Sequence, residues 1–357
     1  MLEKAPALRS GGCAIVLWPN GTGILGDLGV KIEGAGVRIA AIDVHSVRGR
    51  PVISVDAERL AARFGAPVMG VRRRALHDCL ADGLPDGIFR FGSAVTGFRD
   101  DGGSVRVGTG DGAEHTGDLL IGADGLRSRV RAALSGAEPR PTGSVAWQGM
   151  IPAPFPVGDR ARLFLGRHGD IGLNPAGDGL LQWFFNVAGR PGDGTDRPDH
   201  ALATLRRRSA HWAAPVQDLL AALSPDDFEY FPHHRLRVPR RWGRGRCVLI
   251  GDAVHAMPPN LAQGAGQGLE DVAALLGALG GVDAARRDDL VTALRAFERG
   301  RRRAAGLASL IASRSVATHG PRTLGQTDLA LRSALVPAGL PTRAFERLLT
   351  GVSGHLV

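Results

Sequence analysis

The residues best placed to do chemistry stand in one glycine-rich stretch, GDAVHAMPPNLAQGAGQGLEDVAALLGAL, from Gly251 to Leu279. The apolar residues before it predict a buried strand that delivers Gly251 and Asp252 to a strand end. A carboxylate there can accept hydrogen bonds from sugar hydroxyls. The glycines from Gly264 to Gly268 open a predicted helix, whose first backbone N–H groups form a positive pole that can hold an electron-rich oxygen. The stretch therefore indicates a site for a sugar-bearing, electron-rich ligand.

An ordinary glycine-rich turn between a strand and a helix is the alternative for this stretch, and a Gly-Asp pair alone would favour it. The full string is more specific, because Pro258 and Pro259 precede the helix and the pair Glu270 and Asp271 follows in register. It resembles the second FAD fingerprint of the class A flavoprotein monooxygenases, which have the para-hydroxybenzoate hydroxylase fold. The resemblance implies an FAD site at this strand-to-helix turn.

The same resemblance assigns roles to individual residues of the turn. Asp252 is expected to bind the ribityl or ribose hydroxyls of FAD. The turn from Gly264 to Gly268 is expected to face the pyrimidine edge of the flavin. The implied cofactor-binding residues here are Gly251, Asp252, Pro259, Gly264, Ala265 and Gly266.

A second string, DLLIGADGLRSRVR from Asp118 to Arg131, resembles the Asp-Gly motif of the same family, with Asp124 and Gly125 as its centre. The resemblance implies that this motif supports the FAD pyrophosphate and takes part in the use of NAD(P)H. The alternative is that Asp124 caps the helix that begins near Ser128. The two roles are compatible.

Arg73 stands three residues before Leu76 and resembles the Arg-x-x-Leu of the family, at the start of a predicted helix. A planar guanidinium suits contact with a phosphate. Its neighbours Arg72 and Arg74 leave this assignment open by one residue. The likeness to the family runs from residue 2 to about residue 310.

This sequence departs from the family pattern at its beginning. The resemblance implies a first strand, a GxGxxG loop, a helix, and a second strand ending in an acidic residue that binds the adenosine ribose. Glu3 resembles that acidic residue, so roughly the first 30 residues of the pattern do not precede it. We therefore expect Met1 to be a wrongly assigned start or an artificial boundary.

A GxGxxG does occur from Gly21 to Gly26, but we reject it as the dinucleotide loop. A crossover between parallel strands needs a dozen or more residues, mostly helical. Only about ten residues separate Gly26 from the predicted strand at Val37, and they include Gly34 and Gly36. The family has an unrelated helix at this place.

The elements around these motifs follow from hydrophobic periodicity. A strand from Val37 to Asp43 is predicted to form a hairpin with the residues after Pro51, and helices are predicted from Arg73, Leu269 and Asp289. Strands alternating with helices, around a more antiparallel central section, predict an α/β cofactor domain interrupted by a substrate domain. The resemblance implies that the first is a Rossmann-like FAD-binding domain, N-terminally truncated, with an inserted, mainly antiparallel β-sheet substrate domain and C-terminal helices. The predicted parts are FAD domain 1–143, substrate domain 144–235, FAD domain 236–310 and C-terminal helical segment 311–357.

Composition excludes several classes of protein. The 357 residues carry a net charge of +9, but the basic residues are nearly all arginines and are spread along the chain, so we expect no nucleic-acid partner. The dense cluster Arg299, Arg301, Arg302 and Arg303 is expected on a solvated helix face.

The three cysteines have neither disulfide nor metal spacing, so no metal is expected. With no apolar run of membrane length, we expect a cytoplasmic protein, a monomer or homodimer.

The resemblance also implies the reaction. FAD, reduced by NAD(P)H, adds O₂ to form a C4a-hydroperoxide that hydroxylates a small aromatic or other electron-rich substrate. No catalytic residue is assigned. Gln182, Trp183, Met150 and His255 are candidates for the substrate pocket, although Gln182, Trp183 and Met150 are more often simple core, and His255 better suits a structural hydrogen bond. One alternative is a truncated, non-catalytic pseudo-enzyme that binds FAD weakly or not at all. Another is a related halogenase or reductase, but the Trp-x-Trp-x-Ile of halogenases does not occur.

Overall fold

Strands and helices alternate along the computed structural model, which describes residues 1–8, 12–166, 169–189, 197–315 and 339–356. The strands are β1 (Ala14–Leu17), β2 (Gly36–Arg38), β3 (Ala41–Ser46), β4 (Pro51–Asp56), β5 (Met69–Arg72), β6 (Val95–Asp100), β7 (Val105–Thr109), β8 (Glu114–Gly117), β9 (Leu120–Gly122), β10 (Arg140–Pro152), β11 (Arg160–Gly166), β12 (Gly169–Pro175), β13 (Leu180–Ala188), β14 (Glu229–Arg235), β15 (Gly243–Arg244) and β16 (Cys247–Leu249). The helices are α1 (Pro19–Asp27), α2 (Ala57–Phe64), α3 (Arg73–Ala81), α4 (Arg129–Ser135), α5 (Pro198–Arg208), α6 (Ala214–Ala222), α7 (Asp252–His255), α8 (Gly264–Leu279), α9 (Arg287–Ser315) and α10 (Leu340–Val352). Within these ranges, no helix combines the length and the apolar character needed to cross a membrane.

A seven-stranded sheet, in the order β14-β10-β13-β12-β11-β3-β4, forms the larger layer of the fold. All its neighbouring strands are antiparallel except β11 and β3, which are parallel. Side chains alternate between its two faces. One face carries Trp147, Trp183 and Phe185 into a hydrophobic core that includes Leu205 of α5 and Leu219 of α6. The mainly antiparallel sheet predicted for the substrate region is therefore present.

The predicted hairpin at the start of the chain is confirmed, but its first strand is divided. β3 pairs with β4, whereas β2 pairs with β5 in a separate three-stranded sheet. The division falls at Ile39 and Ala40, whose N–H groups bond to Val68 and Asp159 and so carry the chain from one sheet to the other. As a result, β3 and β4 join the sheet of the substrate region although they precede the predicted boundary at residue 143.

The cofactor motifs lie on smaller sheets and the helices that cover them. β9 and β16 run parallel, as expected for the strands that carry the two FAD motifs. Behind them Trp242, Leu249, Leu294 and Phe297 form a second hydrophobic core. The strand predicted at Leu119–Ile121 is present, but it is less buried than predicted. It is an edge strand of its sheet as far as the described residues go, and Ile121 is 42 % exposed.

The GxGxxG at Gly21–Gly26 lies inside helix α1, so the sequence-based rejection of this motif as a dinucleotide loop is confirmed. A Cβ atom on Gly21 would lie 3.6 Å from the Cα atom of Gly266, an ordinary van der Waals distance, so α1 packs against the first turn of α8. The predicted C-terminal helical segment is helical at α10, and residues 316–338 lie outside the described ranges.

Candidate cofactor site

The turn after β16 brings Asp252 to the strand end where the sequence predicts it. Gly251 adopts φ 59° and ψ −143°, a conformation that side chains other than hydrogen rarely tolerate. α7 begins at the next residue, and the carboxylate of Asp252 accepts no hydrogen bond from the described residues. The side chain is exposed to solvent. A glycine in a backbone conformation that other residues rarely adopt therefore presents a free carboxylate at the end of a buried strand.

The carboxylate of Asp252 is partly surrounded by protein and lies close to a positive charge. Although the side chain is exposed, desolvation by the surrounding protein raises the pKa of its carboxyl group, and the charges of His255 and Arg73 act in the opposite direction. Exposure combined with desolvation is what a residue inside an open cleft experiences. The guanidinium of Arg73 is near enough to act on this carboxyl group, so the structure brings together two residues that are 179 positions apart.

Arg73 is the arginine of its cluster that remains available for a ligand. Arg72 forms an ion pair with Asp178 and donates to the carbonyl of Gly34, and Arg74 lies 3.8 Å from Asp78. The Arg73 guanidinium has neither a hydrogen bond nor an ion pair with the residues described. The structure thus favours Arg73 where the sequence left the choice open by one residue.

The first turn of α8 presents free donors. The backbone N–H groups of Gly264, Ala265 and Gly266 have no acceptor among the described parts of the chain, and Gln263 provides no side-chain cap. The first bonded amide is that of Gln267, which donates to Gln263 at 2.8 Å. These donors, with the positive end of the helix dipole, form the positive pole predicted from the sequence.

Asp124 has the capping role that was the alternative interpretation of its motif. Its carboxylate accepts hydrogen bonds from the N–H groups of Arg129 (2.7 Å) and Val130 (3.1 Å) at the start of α4, and from the Ser128 hydroxyl. Gly125 has φ +73° in the turn between strand and helix. Contact of Asp124 and Gly125 with FAD remains a prediction.

Arg131 joins the two cofactor motifs. Its buried guanidinium donates to the carbonyls of Leu126 (2.7 Å) and Ala137 (2.9 Å) around its own motif and to Ala253 (3.1 Å) beside Asp252. Burial removes water from this cation and lowers its pKa. Each hydrogen bond to a carbonyl offsets part of that desolvation cost. The two strand-end turns are thereby held at a fixed spacing.

Glu3 and Pro259 have no described contact with the other predicted cofactor-binding residues. The carboxylate of Glu3 accepts from the N–H of Ala5 at 2.8 Å, and its backbone pairs with Arg90 beside an isolated parallel bridge. No described contact joins Glu3 to Arg73 or Asp252. Pro259 is exposed at the start of a short 3-10 turn. Their predicted contacts with FAD remain predictions.

A buried charged network lies directly beneath the turn. Asp271 of α8 accepts from the Gly251 N–H (2.8 Å), from Nε2 of His255 (2.6 Å) and from Nε of Arg301 (2.8 Å). Burial alone would raise the pKa of Asp271, but these partners together lower it. His255 is fully buried and bonds to Asp271, which supports the structural hydrogen bond expected for it, and its place in the substrate pocket stays a prediction. Arg301 is 3 % exposed, so the prediction that its cluster is solvated is wrong at this residue.

The pocket candidates on the seven-stranded sheet lie on two different faces. Met150 pairs with Gln182 across β10 and β13, so their side chains share one face. Trp183 points the other way and is 1 % exposed in the hydrophobic core, which favours the alternative that it is simple core; its place in the pocket stays a prediction. Strand alternation places a side chain correctly only when the inward face is known, and the sequence alone left that open.

Three residues at this face were missed by the sequence analysis. Gln148 donates to Glu229 Oε2 at 3.0 Å, and the Cys13 thiol lies 3.7 Å from the same oxygen. Burial, with Glu229 beside it, raises the pKa of the Cys13 thiol to about 12. The backbone carbonyl of Cys13 also accepts from the backbone N–H of Arg73 at 3.3 Å, so Cys13 links Glu229 to the start of α3. Of the three, only Gln148 could be predicted from the strand pattern, because it lies two residues before Met150 and therefore on the same face of the strand.

Comparison with known proteins decides what this cleft belongs to. A family model described as an FAD binding domain matches residues 76–307, and an aurachin C monooxygenase/isomerase from Stigmatella aurantiaca is 36 % identical over 284 residues, which cover 77 % of this chain and 72 % of the relative. The chain belongs to the class A FAD-dependent monooxygenases. This membership confirms the resemblance drawn from the sequence.

Other relatives of this flavoprotein monooxygenase agree in sequence and in fold. An FAD-dependent urate hydroxylase from Klebsiella pneumoniae is 33 % identical over 305 residues, which cover 83 % of the chain and 77 % of the relative. The crystal structure of Klebsiella pneumoniae HpxO with FAD and uric acid superimposes with a TM-score of 0.86 at 28 % identity, and the match covers 98 % of this chain and 89 % of that one.

The monooxygenase cleft fits the cofactor that the family binds. Arg73, Asp252 and the N–H groups of Gly264–Gly266 offer a guanidinium, a carboxylate and backbone donors, none of which has a hydrogen-bond partner among the described residues. Asp252 and Ala265 are exposed and Arg73 and Gly264 partly exposed, so these groups are available to a ligand. FAD contains the phosphates, hydroxyls and carbonyl oxygens that complement them.

Proposed function

We propose that this monooxygenase uses FAD, NAD(P)H and O₂ to hydroxylate a small aromatic or other electron-rich substrate in the cytoplasm, where NAD(P)H is available. The observation that carries the proposal is the set of unpaired groups at Arg73, Asp252 and the start of α8. In this proposal Arg73 holds a phosphate, Asp252 accepts from the sugar or ribityl hydroxyls, and the α8 donors hold the flavin edge. Further contacts are proposed for Glu3, Asp124, Gly125, Gly251 and Pro259.

Bound FAD supplies the redox chemistry, taking reducing equivalents from NAD(P)H and activating O₂ for transfer to the substrate. The protein's own contribution is to bind and orient the flavin and the substrate and to exclude water from them. The fixed turns at Asp252 and at the start of α8 orient the flavin, and the sheet face that carries Met150 and Gln182 covers it. The neutral Cys13 thiol and the Glu229 carboxylate at the edge of that face leave a polar wall for the substrate.

The relatives suggest which substrates to test first. One relative is named a urate hydroxylase, and the solved HpxO complex contains uric acid. Another is named a 3-amino-4-hydroxybenzoate 2-monooxygenase. We therefore propose urate, aminophenols and hydroxybenzoates as the first panel, since each is an electron-rich ring of similar size.

The proposed function predicts that the purified protein takes up FAD and that its NAD(P)H oxidation rises in the presence of a substrate. We expect flavin absorbance bands after gel filtration with FAD, and ¹⁸O from ¹⁸O₂ in the product of the substrate that stimulates oxidation most. Flavin uptake with no stimulation by any electron-rich ring would contradict hydroxylation. A protein that takes up no flavin would be the pseudo-enzyme.

Arg73→Gln should weaken FAD binding by roughly 10- to 100-fold, because a charge-assisted hydrogen bond to phosphate contributes about 1.5–3 kcal/mol. The matched control is Arg74→Gln, which removes an exposed arginine next in the chain and should change the dissociation constant less than about twofold. Fluorescence titration of FAD measures both. Equal effects of the two substitutions would show that general positive charge, rather than Arg73, attracts the cofactor.

A further inference from the structure

Helix α10 and the residues that follow it pack against the elements of the cofactor site. Leu349, Val352 and Leu356 are buried, and the ring of Phe345 lies 4.3 Å from that of Trp18, measured between centroids. The helix also contacts α9 and β4, and the backbone N–H of Asp56 donates to Thr342. The described C-terminal residues 339–356 are therefore an integral layer of the fold.

This C-terminal layer makes two hydrogen bonds to the early turns of α8. The side-chain Nε2 of Gln267 donates to the backbone carbonyl of Val352 at 2.7 Å. The backbone N–H of Gly354 donates to Glu270 Oε2 at 2.8 Å. Gln267 and Glu270 are both buried and follow directly after the free N–H groups of Gly264–Gly266. The start of α8 is thus tied to residues more than 80 positions later in the chain.

Glu270 is the centre of these contacts. Besides Gly354, it accepts from Asn20 Nδ2 of α1 at 2.9 Å and from Arg301 Nη1 of α9 at 2.7 Å. A buried carboxylate depends on such donors, because a charge that loses one of them keeps its desolvation cost. Loss of the Gly354 donor would therefore favour movement of Glu270, and of the helical turn that carries it, toward other partners.

We propose that residues 339–356 are a positioning element of the flavin site, acting through Gly354 and Glu270 to hold the first turn of α8 in place. The inference rests on the proposed function for the identity of the ligand. Its structural part, the dependence of the α8 start on the C-terminal layer, is independent of that function. No contact between these residues and the flavin is implied.

The test compares Gly354→Pro with Gly354→Ala. Proline removes the N–H donor, and Ser353 already has φ −115° and ψ 137°, which is the backbone conformation that a residue before proline prefers. Alanine keeps the donor, and its Cβ atom would meet Glu270 Oε2 at an ordinary 3.9 Å. We expect FAD to bind about 10-fold more weakly to the proline variant than to the alanine variant.

Hydrogen exchange in the FAD-free protein provides the second readout. The amides of residues 268–271 should exchange faster in the proline variant than in the alanine variant. Arg59→Ala, which removes only an exposed ion pair to Glu346 on the outer side of α10, should leave exchange and FAD affinity unchanged. Proline and alanine variants that match in exchange would overturn the inference. A wild-type protein that binds no FAD, with exchange still differing, would contradict the proposed function but support the positioning role.

Discussion

Asp252→Ala is expected to weaken FAD binding at least ~100-fold while the FAD-free protein remains folded. The carboxylate can accept two charge-assisted hydrogen bonds from vicinal hydroxyls, each contributing about 1.5–3 kcal/mol, and alanine accepts none. The fold should tolerate the change because Asp252 is exposed and accepts no hydrogen bond in the part of the chain described. Equilibrium titration of flavin fluorescence gives the affinity, and circular dichroism checks the fold.

Asp252→Asn should separate binding from stability by moving them in opposite directions. The pKa of Asp252 is raised in the folded chain, so ionisation is disfavoured there relative to the unfolded chain. The stability associated with the protonated carboxyl group is present below the unfolded pKa near 3.9 and is lost as the pH rises through the folded pKa. At neutral pH an uncharged amide should therefore stabilise the FAD-free protein and weaken FAD binding. A destabilised Asn variant would show that Asp252 is a structural residue.

The second large effect is expected at Arg301, where substitution by methionine should lower the free energy of unfolding by about 3–5 kcal/mol. The guanidinium joins Glu270 and Asp271, and both carboxylates are buried. Removing the shared cation leaves two uncompensated negative charges out of contact with water. Urea denaturation followed by tryptophan fluorescence measures the change.

Arg303→Met is the matched control for this substitution. Arg303 is exposed on the same helix two residues later, so its loss should change the unfolding free energy by no more than about 0.5 kcal/mol. The FAD affinity of the Arg301 variant, measured at a temperature where it is folded, should also fall, because Asp271 would hold Gly251 and His255 less firmly. A small loss at Arg301, equal to that of the control, would show that the network is not required for stability.

The sequence predicted the strand-to-helix turns well because their signals are local. A strand end, a glycine with positive φ and a helix start lie within a few residues of each other at Gly251–Asp252 and after Gly122, so pattern and motif agree. The choice of Arg73 within its cluster required the structure. It depends on what Arg72 and Arg74 contact elsewhere, and no local pattern contains that information.

Arg301 was predicted wrongly although the sequence contained a signal for it. One stripe of buried residues on α9 recurs every three or four positions, at Leu290, Leu294, Phe297, Arg301, Ala305, Ala308 and Ala312, and the other buried residues, Ala293, Glu298 and Ser309, lie next to it. Arg301 lies in this stripe, whereas Arg299, Arg302 and Arg303 lie outside it. Composition alone does not distinguish these arginines, whereas their positions along the helix do. Glu229 and Cys13 had no comparable signal, since their proximity arises only from the packing of β14 against the loop before β1.

The contacts of Glu270 also have a consequence for the synthesis of the protein. Its partners Asn20, Arg301 and Gly354 leave the ribosome at widely separated times, because at ~5–20 residues per second the first precedes the last by roughly 15–70 seconds. During that interval Asn20 and then Glu270 lack their final partners, and the strands near them are exposed to the cell. Capture of the flavin should therefore be a late event in biogenesis, and a nascent chain stalled before Gly354 should depend on chaperones.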